Sequence, residues 1–434
     1  MRSWYGVRRL YETRFRERLL LALLLLIGGY YIIWSINQWL SLDAAALRFD
    51  FVNYFGGAQA AAHGGDIYAN FKRSWGTQAW VVAYIYPPFF ALLLAPLTPL
   101  GLVAAGRIWL LVVHLAFVLA LGLILRAHPE LSRTHRRLFL LAALSFMPVY
   151  LNLKFQQVAT LWLLLLVGTL LAGLRQRDSR SGLLLALAAS LKVTPIFLIP
   201  LFFRLGRRRL ALLASAMLAA VTAITVLASP GSWQFFTVVL PRIGLGTANW
   251  DNGSIDGLVS RVVEYAPGIA GPATQALAKV VIALAVAVVV GWTLWSARGG
   301  ADSSWTLRLG FSALVTSLLI VSSVTWQHHL VTLLLPMATA IAWIAARKAP
   351  AHYGCWLAAA YALCWMDRRA FPLPADLLVH SRMEAALVLV GTSVKLAGLT
   401  ALWVLLLRML AYERRMAIRL PLPRSEIEAG QPAA

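Results

Sequence analysis

Apolar runs long enough to cross a bilayer recur along almost the whole of this 434-residue chain, beginning with "LLLALLLLIGGYYIIWSI" at Leu19. About 20 such residues in a helix match the hydrocarbon thickness of a membrane. Inside hydrocarbon every backbone polar group needs a partner within the protein, which leaves helices or closed barrels. The runs are continuous and rich in Leu and Ala, without the strict alternation of a barrel strand. With 60% hydrophobic residues, 13% charged and a mean hydropathy of +0.73, the chain has too little polar surface for a soluble protein of its size. The expected fold is therefore an all-α polytopic membrane protein.

Candidate spans lie at about 19–37, 104–125, 137–150, 156–174, 182–192, 195–206, 209–228, 273–297, 305–324, 328–346, 353–366 and 384–410, which makes about 12. "IYPPFFALLLAPLTPL" at 85–100 is apolar but short and broken by four prolines. The formal charge of +22 decides how to thread these segments. With a cytoplasmic N-terminus and 85–100 not crossing, about two thirds of the 39 Lys and Arg fall on the inside, in segments such as "RAHPELSRTHRR", "RQRDSR" and "RLGRRR". The basic residues then set topology, and no soluble basic module is left to bind nucleic acid.

This threading gives one membrane domain over 1–411, with a long first outer loop at about 38–103 that holds interfacial helices. A second large outer loop spans 229–272, and the tail, 412–434, is expected to be cytoplasmic and disordered. No small-residue cleavage site follows the first apolar run, so it reads as an uncleaved helix. Cys355 and Cys364 share one apolar segment, where a disulfide or metal framework is not expected; both read as packing residues.

Threaded in this way, polar residues from five separate segments gather on the outer side. Asp50 opens "DFVNYFGGAQAAA". "NLKFQQ" holds Gln156 and Gln157, and "SLKVTP" places Lys192 at a helix break. "WDNGSIDGLVSR" carries Asn252 and Arg261, and "VTWQHHL" carries His328 and His329. Acid, amide, ammonium and imidazole converging on one membrane face suit a catalytic site at a lipid–water boundary. Each has a plainer reading. Asp50 can be a solvated carboxylate or a helix cap, and Asp66 in "GGDIY" a turn residue. Lys192 can snorkel to the surface, and the glutamines can satisfy helix-end backbone groups. Two adjacent histidines point about 100° apart on an α-helix and cannot share a metal. One can face a phosphate while the other packs.

In order, "FDFVNYFGGAQAAAHGGDIY", "YIYPPFFALLLAPL", "LNLKFQQVATLWLLLL", "GLLLALAASLKVTPIFLIPLFFRLGRRR", "NGSIDGLVSR" and "TWQHHLVTLLLP" resemble glycosyltransferase family 87 over about 40–345. These are GT-C type membrane enzymes that include polyprenyl-phosphate-mannose-dependent mannosyltransferases acting on phosphatidylinositol mannosides. The resemblance implies a polyprenyl-phosphate-sugar donor, a glycolipid or other cell-envelope acceptor, an extracytoplasmic site and inversion at the anomeric carbon. It makes Asp50 the general base and Lys192, His328 and His329 contacts for the donor phosphate. Tyr54, Tyr86, Gln156, Asn252 and Arg261 join them as substrate-binding candidates. "NLKFQQ" stands where the family pattern leads to Asn-Gly-Gln or a similar turn.

The residues read alone agree with that chemistry. A sugar on a lipid phosphate is already activated; the enzyme has to deprotonate a hydroxyl and offset charge on the departing phosphate. A carboxylate suits the first task. Lys192, a histidine or a bound divalent cation suits the second. A transporter or flippase for a lipid-linked or anionic substrate is the competing class, since broken spans and an intramembrane lysine also suit it. A non-catalytic scaffold is the third.

Overall fold

A computed structural model describes residues 2–43, 47, 50–74, 83–229, 231–265, 271–298, 304–367 and 381–419. It is helical throughout, with no strand among the described residues. The helices are α1 (Arg2–Leu40), α2 (Asp50–Ala62), α3 (Ala69–Ser74), α4 (Pro88–Leu94), α5 (Gly101–Ala127), α6 (Arg133–Ser145), α7 (Met147–Lys154), α8 (Ala159–Leu174) and α9 (Asp178–Leu191). They continue as α10 (Leu198–Arg204), α11 (Arg208–Ala228), α12 (Leu240–Ile243), α13 (Ile255–Tyr265), α14 (Pro272–Ser296), α15 (Ser304–Val321), α16 (Leu334–Arg347), α17 (Ala351–Trp365) and α18 (Arg382–Arg419).

Among the described residues seven helical segments are long and apolar enough to span a membrane, or eight if the bent pair α6–α7 is one span. The sequence reading of about 12 counted every apolar run. Several of those runs form shorter apolar helices, such as α8 or the Thr194–Arg204 segment, which fall below that length. Burial separates centre from rim. The apolar windows of α15 and of the Gln327–Arg347 segment are 83% and 78% buried, against 6% for α1 and 11% for α14. Rim helices instead present large apolar side chains outward, including Leu25, Leu26, Ile33, Ile224 and Leu227. Water would not tolerate so broad an apolar surface, whereas lipid does.

Small residues bring the helices together. A Cβ on Gly182 of α9 would lie 3.0 Å from the backbone nitrogen of Ala214 in α11, so only glycine admits this approach. Near the first loop, α2 packs on α4, and Gly57 leaves the room that the Tyr84 ring occupies. Residues 88–100 form α4 and a 3₁₀ segment (Ala95–Leu100), with Phe90, Ala91 and Leu94 buried. The backbone leaves the helical region at Gly101 (φ +76°) before α5 begins its long run.

The linkers divide into two sets. One contains the C-terminal end of α5 with Arg126, the α8–α9 turn with Arg175 and Arg177, the α10–α11 turn with Arg207 and Arg208, and the end of α16 with Arg347 and Lys348. Ion pairs stitch this basic end together: Arg308 Nη1 to Glu130 at 2.7 Å and Arg347 Nη2 to Glu413 at 2.7 Å. The other set holds α2, the α7–α8, α9–α10 and α15–α16 breaks, and the loop before α13. The expected disordered tail begins within α18, which runs on to Arg419; 420–434 lie outside the described residues, as do 368–380.

Candidate active site

The non-basic end of the bundle encloses a cavity of about 460 Å³. Asp50, Tyr54, Tyr86, Lys192, His328 and His329 all line it, and so does Gln157. Six of the nine residues singled out from the sequence thus face one space. Gln156, Asn252 and Arg261 are not among its lining residues.

Asp50 is the first residue of α2, where the positive end of the helix dipole favours a carboxylate. Burial nonetheless dominates and raises its pKa to about 6; a hydrogen bond from the Gln157 side chain opposes the rise. The Gln157 amide oxygen accepts from Tyr54 Oη at 2.9 Å and lies 3.0 Å from Tyr86 Oη, and the two hydroxyls are 3.1 Å apart. One amide therefore ties the carboxylate to two phenols. Behind them Tyr54, Tyr86, Phe90 and Trp109 pack edge to face or tilted, Tyr54 to Phe90 at 4.9 Å and Phe90 to Trp109 at 5.5 Å. Such an aromatic wall fixes ring positions at small entropic cost.

Gln156 explains why its neighbour enters the cavity. It sits at φ +53°, the left-handed conformation that usually falls to glycine just beyond a helix. Gln156 N donates to Leu153 O at 3.1 Å and Gln157 N donates to Asn152 O at 2.8 Å, which together close the end of α7. The Gln156 carbonyl accepts from the indole of Trp109 at 2.7 Å, so this residue shapes the turn and Gln157 lines the site.

Lys192 follows the last residue of α9. Its ammonium lies 4.9 Å from the centre of the Trp162 ring and has no carboxylate partner among the described residues. It is near enough to both imidazoles to interact with them electrostatically. His328 and His329 lie in a 3₁₀ segment, Gln327–Leu333, where successive residues are about 120° apart. Their rings still meet edge to face at 4.6 Å. Trp326 N donates to His329 Nδ1 at 3.2 Å, which leaves the proton of a neutral ring on Nε2. His328 Nε2 is buried and unpartnered, so it is available to a ligand. Asp251, held by Gln327 Nε2 at 3.3 Å, and Asp367 add two further carboxylates to the lining. Among the described residues no three His, Cys, Asp or Glu side chains are grouped to hold a metal ion.

Asn252 and Arg261 act one step back. Asn252 Nδ2 donates to Thr247 O at 3.0 Å and Ser323 O at 2.9 Å, while its Oδ1 accepts from Thr325 N at 2.9 Å and from the Ser254 hydroxyl at 2.8 Å. The fully buried Arg261 donates to Asn249 O at 2.8 Å and Asn252 O at 3.0 Å. Asn252 joins the 249–254 loop to the irregular stretch that precedes the histidines, and Arg261 ties the same loop to α13. The sequence places Gln156 and Gln157 together among the converging polar groups and selects Gln156; the left-handed turn at 156 is what turns Gln157 into the site instead.

The fold and the site define a helical membrane protein whose cavity gathers a carboxylate, an ammonium and imidazoles at one end. Residues 84–323 match the model of Glycosyltransferase family 87, and the chain belongs to that family. This bears out the resemblance read from the motifs, although Asp50 lies before the matched segment. The chain is 32% identical over 65% of its length to a polyprenol-phosphate-mannose-dependent α-(1-2)-phosphatidylinositol pentamannoside mannosyltransferase of Mycolicibacterium smegmatis. It spans 66% of that relative's length. It is 29% identical over 79% of its length, and 79% of the relative's, to a polyprenol-phosphate-mannose-dependent α-(1-2)-phosphatidylinositol mannoside mannosyltransferase of the same species. A Mycobacterium tuberculosis protein of the same description is 28% identical over 74% of this chain and 76% of its own. The family displaces the transporter and scaffold readings.

Asn252→Ala is expected to strand several buried backbone groups and cost roughly 2 kcal/mol or more. Thermal unfolding in detergent would show a lowered midpoint. An unchanged midpoint together with lost activity would instead put Asn252 in contact with substrate.

Proposed function

We propose that the chain transfers a mannosyl group from a polyprenyl-phosphate-mannose donor to a hydroxyl of a glycolipid or other cell-envelope acceptor, with inversion. The observation that carries this reading is the convergence of Asp50 with Lys192, His328 and His329 on one cavity. The acceptor hydroxyl gives its proton to Asp50 as its oxygen attacks the anomeric carbon. The bond from that carbon to the phosphate oxygen breaks on the opposite face, and polyprenyl phosphate leaves with an added negative charge. Lys192 and an imidazole N–H stabilise that charge where it develops. Tyr54 and Tyr86 have their hydroxyls committed to Gln157 and each other, so they shape the wall that holds the sugar. Asn252 and Arg261 hold the loop that carries Asp251.

The reading is supported by family membership and by relatives that use polyprenol-phosphate-mannose. The cavity end is extracytoplasmic in this proposal, because the opposite end carries the arginine-rich linkers that the positive-inside rule assigns to the cytoplasm. The first loop is then the membrane-surface platform of the active site, and both termini are cytoplasmic.

Asp50→Asn is expected to lower transfer by roughly 10²–10⁴-fold while donor binding persists; a fully active Asn variant would remove Asp50 as the base. Asp50 must be ionised to act, so kcat/KM is expected to fall as pH drops through about 6. Gln157→Leu removes the hydrogen bond that holds that pKa down and should move the acidic limb to higher pH. A limb near 4 in the wild type, the ordinary range of a solvated carboxylate, or one that ignores the Gln157 change, would contradict the scheme. For sidedness, a membrane-impermeant maleimide is expected to label Gln59→Cys but not Arg209→Cys in right-side-out vesicles, with both native cysteines replaced. The reverse pattern would invert the proposed orientation.

A further inference from the structure

The basic end of the bundle has a charge imbalance that the transfer reaction does not use. Three arginines there are matched by glutamate: Arg308 with Glu130, Arg347 with Glu413 and Arg137 with Glu17. Arg298 and Arg414 are not. Both guanidiniums rest on the same indole, Trp295, with Cζ at 3.9 Å and 5.2 Å from its ring centre. Neither has a carboxylate partner among the described residues. Glu413, adjacent to Arg414 in sequence, is consumed elsewhere: Trp343 Nε1 and Arg347 Nε donate to its Oε1 at 2.8 Å, and Arg347 Nη2 to its Oε2 at 2.7 Å. Arg414 is close enough to Arg298 and Arg415 to be repelled by both, and its Nε is buried without a hydrogen-bond partner. Two cations resting on one indole, with no carboxylate partner among the described residues, leave their charge open to an anion from outside the chain.

The surroundings say which kind. Trp295 closes α14, whose outer face displays Leu277, Val280, Leu284 and Val288 to lipid. Trp292 and Trp295 meet at a tilt with ring centres 5.7 Å apart, and both are substantially exposed. Indoles at the end of an apolar face mark headgroup depth. We propose that Arg298, Arg414 and Arg415, with Trp295, bind the phosphate of an anionic membrane lipid, its acyl chains lying along the apolar face of α14. Basic pockets between transmembrane helices take such headgroups. A helix the length of α14 puts this site roughly 37 Å from the loop that α13 shares with the cavity, so the lipid bound there is not the substrate at Asp50. The planar guanidiniums fit two phosphate oxygens each, and the lipid would neutralise the α14–α18 junction.

The test uses the full chain in detergent, with phosphatidylglycerol, phosphatidylcholine or inorganic phosphate added. Native mass spectrometry reads retained lipid, and the thermal midpoint reads stabilisation. Phosphatidylglycerol is expected to be retained and to raise the midpoint, phosphatidylcholine and inorganic phosphate much less. Arg298→Gln with Arg414→Gln should weaken phosphatidylglycerol retention roughly 10- to 30-fold. Should that variant not fold, Arg298→Lys with Arg414→Lys keeps the charge and is expected to keep the preference for the anionic lipid. Equal retention of both lipids, or a Lys or Gln pair indistinguishable from each other, would overturn the proposal. Stabilisation by inorganic phosphate as large as by phosphatidylglycerol would do so too, making it a soluble-anion site.

Discussion

Backbone amides that lose their helical partners in a membrane must find others, and this bundle breaks its helices where its polar side chains gather. The turn at Phe155–Gln157, the break after Leu191 and the irregular stretch from Ser322 to Gln327 all open toward one cavity. At each break a local device satisfies the backbone: Gln156 N and Gln157 N cap α7, Lys192 N bonds Ala188 O, and Thr325 N is held by Asn252. Irregular backbone at membrane depth is tolerated only where it is buried in protein or lines such a space. The site and the interruptions of the fold therefore have a single cause, and the tightly buried α15 and the Gln327–Arg347 segment supply the rigid backing.

The two ends of the molecule handle charge in opposite ways. At the basic end several arginines are paired with glutamate or laid on indole, which fixes helices to one another. At the cavity end Lys192 has no carboxylate partner among the described residues, and the carboxylate of Asp50 is held by an amide rather than a cation. Keeping acid and ammonium from neutralising each other leaves both able to act on a ligand. A direct ion pair would lower the carboxylate pKa and reduce its strength as a base. The Gln157 amide gives orientation with a much smaller effect on basicity.

How far the sequence disclosed this depends on the kind of signal. Asp50, Lys192, His328 and His329 stood out because charge in an apolar chain is conspicuous, and charge bias alone separated the two sets of linkers. Helix lengths were less legible, because hydropathy registers α8 and the Thr194–Arg204 segment as apolar but not as short. Asn252 and Arg261 attracted attention as polar groups near the others, yet their hydrogen bonds are spent on Thr247, Ser323, Thr325, Asn249 and Asn252 itself. That distinction is tertiary and has no local pattern. Gln157 was hidden by its neighbour. Two identical side chains in succession give no clue to which one faces inward until the backbone turn between them is known.

That turn has one more implication. A non-glycine residue in the left-handed region loses about 1 kcal/mol or more against an ordinary conformation, and here the indole of Trp109 grips the carbonyl of Gln156 from a different helix. Positions 109 and 156 therefore form one conformational unit. A chain with glycine at 156 could bend there unaided and would be free to carry a smaller residue at 109. With glutamine at 156, the large aromatic at 109 becomes part of the device that points the Gln157 amide at Asp50.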